Sequence, residues 1–187
     1  MNKAGGERII LGIDPGSTIT GYGLINVKGK TPSLLALGIF DLRKKEDHFQ
    51  RIRIIFEETL SLIDRWHPDE LAIEAPFFGK NIQSMLKLGR AQGAAISAAL
   101  YRDLPVFEYA PRMIKMSITG RGQASKEQVA VMLKTLLSFR DEKIVLDATD
   151  ALGAALCHFY QSQKPAAGQG CKSWEEFVRK NSDKVRQ

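Results

Sequence analysis

The sequence predicts an α/β fold: a mixed five-stranded sheet flanked by helices. Three observations carry this reading. Three short apolar segments near the start are separated by turn signals, at residues 8–13, 21–27 and 34–42. A long amphipathic stretch follows at residues 47–66. After it, two further short apolar segments at 70–74 and 106–109 alternate with helical patterns. Consecutive antiparallel strands followed by strand–helix–strand–helix give one sheet with helices packed on it.

Each element has a local reason. Residues 8–13 form an apolar run that stops at Asp14-Pro15-Gly16, a turn signal. In the long helix, Phe49, Ile52, Phe56, Leu60 and Ile63 recur at three- and four-residue spacing and define the expected buried stripe. His67-Pro68-Asp69 ends it. A second helix over residues 81–101 is rich in small residues (Gly89, Gly93, Ala94, Ala95, Ser97, Ala98, Ala99), which allow close approach. Pro111 opens a short helix, and Ser125 with Gln128 forms a capping box for the next. That helix is expected to bury Val129, Met132, Leu133, Leu136 and Leu137. The last helix, residues 147–161, points Ala148, Ala151, Leu152, Ala155 and Phe159 inward. Domain organisation is then a single unit over residues 1–163 and a flexible tail over 164–187, with a linker at 165–170 and a short helix at 174–179.

Composition narrows the function classes. Hydrophobic residues make up 44% and charged residues 26%, an ordinary globular balance. No apolar run reaches the length of a membrane span, so no membrane association is expected. Asp14 interrupts the only apolar segment near the N-terminus, which makes a poor signal peptide. Cys157 and Cys171 fit no zinc or disulfide framework, and a reducing, cytoplasmic setting follows as an expectation. Net charge is +6, and residues 79–126 hold eight basic side chains against Asp103 and Glu108, a surplus equal to that of the whole chain. A local basic band suits a polyanion such as nucleic acid.

Four carboxylates stand at the ends of elements. Asp14 ends the first strand and Glu74 the fourth. If a right-handed crossover sets these strands parallel and adjacent, at about 4.8 Å spacing, the two carboxylates can share a cation. Asp147 and Asp150 are three residues apart at the start of the last helix and project from one side of its first turn. Taken singly, each is more often structural than catalytic. Together they make a hard-oxygen site suited to Mg²⁺, and two such ions about 4 Å apart can promote phosphodiester hydrolysis.

The ordered motifs resemble the RuvC family, crossover junction endodeoxyribonucleases of the ribonuclease H-like superfamily. The stretches that carry the resemblance are Leu11-Gly12-Ile13-Asp14-Pro15-Gly16-Ser17 with Thr20-Gly21-Tyr22-Gly23, then Ala72-Ile73-Glu74. Leu86-Lys87-Leu88-Gly89-Arg90-Ala91-Gln92-Gly93, Val106-Phe107-Glu108-Tyr109-Ala110, Lys126 with Gln128-Val129, and Asp147-Ala148-Thr149-Asp150-Ala151-Leu152 complete the set. They span most of residues 8–160 in family order, whereas a lone Gly-Ile-Asp-Pro-Gly is a weak signal. Ala75-Pro76 departs from the polar–apolar pair usual after the glutamate.

The resemblance implies a Holliday junction resolvase that makes paired, symmetric nicks in four-way DNA junctions during recombination and repair. It implies Asp14, Glu74, Asp147 and Asp150 as metal ligands, with Asp14, Glu74 and Asp147 catalytic. Two Mg²⁺ ions per active site are implied, with Mn²⁺ able to substitute. Phe77 is implied to stack on a base, an interaction of roughly 1–3 kcal/mol. Lys115 and Lys126 are implied to contact phosphate near the scissile bond, and the basic band adds Arg121 as a DNA contact. A homodimer and the partners RuvA and RuvB are implied as well, with the small-residue helix as first candidate for the dimer interface. His158, further along the last helix, is expected to be a satisfied structural histidine.

Other readings stay open on the residues alone. A nuclease of the same fold acting on hybrids or duplexes is one, and a non-catalytic junction-binding protein is another. An actin-like ATPase shares the Gly12-Ile13-Asp14-Pro15-Gly16-Ser17 pattern but needs a second similar domain, for which 187 residues are too few.

Overall fold

The computed structural model describes residues 6–76, 81–139 and 146–163. Five strands, β1 (Glu7–Asp14), β2 (Ile19–Lys28), β3 (Thr31–Asp41), β4 (Glu70–Glu74) and β5 (Val106–Tyr109), form one sheet in the order β3-β2-β1-β4-β5. The first three pair antiparallel, and the crossovers through helices set β4 parallel to β1 and β5 parallel to β4. The mixed five-stranded sheet read from the sequence is therefore present.

The two sheet faces are covered differently. Leu11, Ile13, Leu24, Leu71 and Ile73 share a core with α1 (His48–Trp66) and α2 (Ile82–Tyr101). Ile10, Ile25, Val27 and Ala72 face the other way, toward α3 (Pro111–Thr119), α4 (Lys126–Leu136) and α5 (Leu146–Ser162). Because side chains alternate along a strand, Asp14 falls on the α5 face with Ile10 and Gly12, and Glu74 falls there with Ala72.

α5 crosses this second face almost without a side-chain layer between. A Cβ on Gly12 would stand 2.0 Å from the Ala151 carbonyl oxygen, and one on Gly21 would stand 2.0 Å from that of Asp147. Glycines on the sheet and alanines on the helix thus let the two backbones touch. The helix is buried all round from Ala151 to Phe159, so its position is over-determined.

Caps hold the remaining helices. Asp47 accepts the Phe49 and Gln50 amides at the start of α1, and Ser125 and Gln128 form the expected capping box on α4. Two stripes turn out differently from expectation. On α1 the buried residues are Ile55, Thr59, Leu62 and Ile63, while Phe49 is 75% exposed. Ile52, Ile54, Phe56 and Leu60 make the helix apolar over more than one face, so periodicity allowed two phases. On α4, Val129, Ala130 and Leu133 are buried, and Leu137 just beyond its end, but Met132 and Leu136 point out. The small-residue helix also divides: Ala91, Ala94, Ala95, Ala98 and Ala99 are buried within the protomer, and its outer face carries Ile82, Leu86, Gly89 and Gly93. No helix among the described residues is long and apolar enough to cross a membrane. The linker at 165–170, the terminal helix at 174–179 and Phe77 all lie outside the described residues.

Candidate active site

Asp14 ends β1 and is followed by a closed turn. The buried Thr20 hydroxyl donates to the Gly16 carbonyl at 3.0 Å and accepts the Gly16 amide at 3.3 Å, which fixes the chain just beyond the carboxylate. The parallel register pairs Gly12 with Ala72 and Ile13 with Ile73, so Asp14 and Glu74 leave adjacent strands side by side. The close approach of α5 then delivers Asp147 and Asp150 over the end of β1. One carboxylate oxygen each from Asp14, Asp147 and Asp150 lies within 4.8 Å of the others. Glu74 stands outside that trio but lines the same cleft of about 490 Å³ as Asp14 and Asp150.

The electrostatics of the cluster are unfavourable on their own. Burial, the Asp150 charge and the Asp147 charge raise the Asp14 pKa to about 6, against an opposing pull from Lys126. Burial first, then Asp14 and Asp150, push Glu74 up to about 8, with Lys126 and Lys115 pulling back. These groups are crowded carboxylates for which a cation would favour the ionised form. Lys126, the first residue of α4, already plays that part: its Nζ hydrogen-bonds Asp150 Oδ2 and sits 3.6 Å from Asp147 Oδ1. Burial opposes its charge, but Asp150, Asp14 and Asp147 more than compensate, and its pKa is raised. The oxygen donors, their spacing and a resident ammonium fit a divalent cation with ligand distances of about 2.0–2.6 Å.

The walls of the cleft are basic. Lys115 and Lys126 line it, and Arg112 joins them. Arg112 was visible in the sequence only as one member of the basic band. The signals that single it out are Pro111 at the helix start, which puts position 112 in the first turn, and Gly122, where a Cβ would stand 2.7 Å from Arg112 Cγ. Arg121 lies elsewhere, in a neighbouring groove with Thr119, Glu127 and Met132. His158 stays out of the cluster: its Nδ1 is 2.6 Å from the Tyr109 hydroxyl and its Nε2 is 3.0 Å from Glu70.

The sequence profile described as crossover junction endodeoxyribonuclease RuvC matches residues 10–158. The chain belongs to the RuvC family. The crossover junction endodeoxyribonuclease RuvC of Bacteroides fragilis is 58% identical over 182 residues, covering 96% of this chain and 97% of its own. Thermus thermophilus RuvC, solved in complex with a Holliday junction substrate, superposes with a TM-score of 0.76 at 33% identity, covering 82% of this chain and 94% of the other. The yeast mitochondrial Holliday junction resolvase, at 13% identity and a TM-score of 0.59 over 82% of this chain and 80% of its own, shares the fold. As a RuvC family member with this sheet order, the chain is an endodeoxyribonuclease of the ribonuclease H-like fold.

Proposed function

We propose that this chain resolves Holliday junctions as a Mg²⁺-dependent homodimer, making paired symmetric nicks across a four-way junction. The observation that carries the reading is the convergence of Asp14, Asp147 and Asp150 on one point, with Glu74 in the same cleft and a basic wall beside it. Asp14, Glu74, Asp147 and Asp150 would hold the metal. Bound there, Mg²⁺ (or Mn²⁺ in its place) supplies an activated water and neutralises charge at the scissile phosphate.

The chain's own groups do the rest. Lys126 and Lys115 present ammonium groups to the phosphate and stabilise charge that develops on it. The first turn of α4, which begins at Lys126, adds backbone donors. Arg112 holds a neighbouring phosphate from the same wall, and Arg121 meets the backbone further out along its own groove. Phe77 stacks on an unpaired base near the junction centre.

Paired cuts on a two-fold substrate favour a two-fold dimer. The outer face of α2, with Ile82 72% exposed and Leu86 51% exposed, supports an interface there. RuvA and RuvB are the partners this reading assigns. Nick mapping on a junction with a mobile core, with and without Mg²⁺, tests it. Symmetric nicks at a recurring sequence are expected. Equal cleavage of a linear duplex or an RNA–DNA hybrid would move the chain to another substrate, and tight binding without nicking in Mg²⁺ or Mn²⁺ would make it a binding protein.

A further inference from the structure

The basic wall formed by Arg112, Lys115 and Lys126 stands on one side of the carboxylates. A second set of cations stands on the other side, at the end of β3. Arg43, Lys44 and Lys45 follow that strand after the buried Leu42 and are exposed. Along this edge of the sheet the order runs from the end of β3, past Gly21 of β2 with Asp147 above it, to Asp14, Glu74 and finally β5 and α3. The carboxylates therefore sit in the middle of the edge with cations at both ends. Arg43 is near enough for the Asp147 charge to act on its guanidinium.

This loop is built rather than loose. Arg43 donates its backbone N–H and Nε to Asp41 Oδ1 at 3.1 and 2.9 Å, and Nη2 to Oδ2 at 2.7 Å. The Leu42 amide donates to the Thr18 carbonyl at 2.9 Å. Arg51 reaches back from α1, giving Nε to the Lys45 carbonyl at 2.6 Å and Nη1 to the Ser17 carbonyl at 3.2 Å. The basic loop is thus tied to the turn that follows Asp14. The Arg43 side chain remains 62% exposed, and an exposed ion pair of this kind is weak enough to be exchanged for a phosphate.

We propose that Arg43 and Lys44 form a second phosphate-holding wall for the cleaved strand, opposite Lys115 and Lys126. Resting on the junction-cleaving reading above, it names the residues that set the path of the strand across the site. Two strand spacings separate β3 from β1, about 10 Å; neighbouring phosphates of one strand stand further apart than their axial rise of about 3.4 Å, so this distance spans one or two of them. The wall on this side therefore grips phosphates one or two positions from the scissile bond. Asp41 keeps Arg43 aimed in the free protein and competes with DNA for it.

The test measures junction binding by the full chain, without divalent metal, from about 50 to 200 mM salt. Arg43→Gln with Lys44→Gln is expected to weaken binding roughly ten-fold and to flatten the log–log salt dependence by about two. Asp41→Asn, which frees the guanidinium, is expected to tighten binding. Neutral methylphosphonates one or two positions from the mapped nicks should weaken the wild type and leave the double variant with little further loss. A double variant with the wild-type slope, or one that pays the full methylphosphonate penalty, overturns the proposal. If the wild type binds and nicks the junction while the double variant matches it, this wall alone fails. If the wild type does neither, the functional reading fails and this proposal falls with it.

Discussion

The two faces of the sheet are buried to a similar depth, yet they are built from different materials. Toward α1 and α2 the strands present Leu11, Ile13, Leu24, Leu71 and Ile73, an aliphatic layer of ordinary thickness. Toward α5 they present Ile10, Ile25 and Val27 away from the site, but Gly12, Gly21 and Gly23 next to it, where backbone meets backbone. The first face stores stability in burial that tolerates some repacking. The second gives up side-chain burial for closeness, and that closeness carries Asp147 and Asp150 to Asp14. A sheet can thus separate holding the fold from holding the site.

The largest expected effect of breaking this contrast is on activity. Gly21→Ala places a Cβ where the Asp147 carbonyl oxygen stands, so α5 has to lift. A shift near 1 Å at the carboxylates is expected to lower junction cleavage roughly 100-fold, while overpacking costs about 1–3 kcal/mol of stability. Single-turnover cleavage and denaturant melts on one preparation check both numbers. Near-wild-type cleavage would mean that the closeness is not what positions the site.

The opposite face is expected to behave the other way round. Ile55→Ala removes a fully buried side chain on α1 and should cost about 2–5 kcal/mol. Its cleavage rate, measured where the variant is still folded, should stay within a few-fold of wild type. A rate loss matching that of Gly21→Ala would show that the two faces are not separable.

The third effect is on pH dependence. Asp14 at about 6 and Glu74 at about 8 hold protons that the unfolded chain has lost above its ordinary carboxyl range. Folded pKa values raised in this way stabilise at low pH, and the contribution disappears as pH rises through them. The metal-free protein should therefore lose stability between about pH 4 and 8, with Asp14 accounting for roughly 3 kcal/mol of it between about pH 4 and 6. Added Mg²⁺ should restore more at pH 8.5 than at pH 5.5, because only ionised carboxylates bind it well. A thermal midpoint of the metal-free protein that climbs over this range would contradict the crowding described here.

The smallest effect separates the stripe expected on α1 from the one observed. Phe49→Ser, at a position 75% exposed, should change stability by no more than about 0.5 kcal/mol. A cost of several kcal/mol would restore the expected phase.

Much of the site was legible before the structure. Turn chemistry after Ile13, the crossover rule for β4 and the three-residue spacing of Asp147 and Asp150 are local or topological signals, and each survived. The phase of α1 was not legible, since its apolar residues wrap more than one face. Nor was the role of Gly12 and Gly21, because a strand glycine says that something comes close without saying what. Arg112 and Arg121 differ by the direction in which a loop and a helix turn toward the cleft, which residue type and charge do not encode.

The proposed function turns on the carboxylates gathered on the α5 face. Single-turnover cleavage of a synthetic junction by wild type and Asp14→Asn in Mg²⁺ tests it most directly. Paired nicks are expected from the wild type, with a loss of at least about 100-fold in the variant and junction binding retained. Cleavage by Asp14→Asn at the wild-type rate would contradict it.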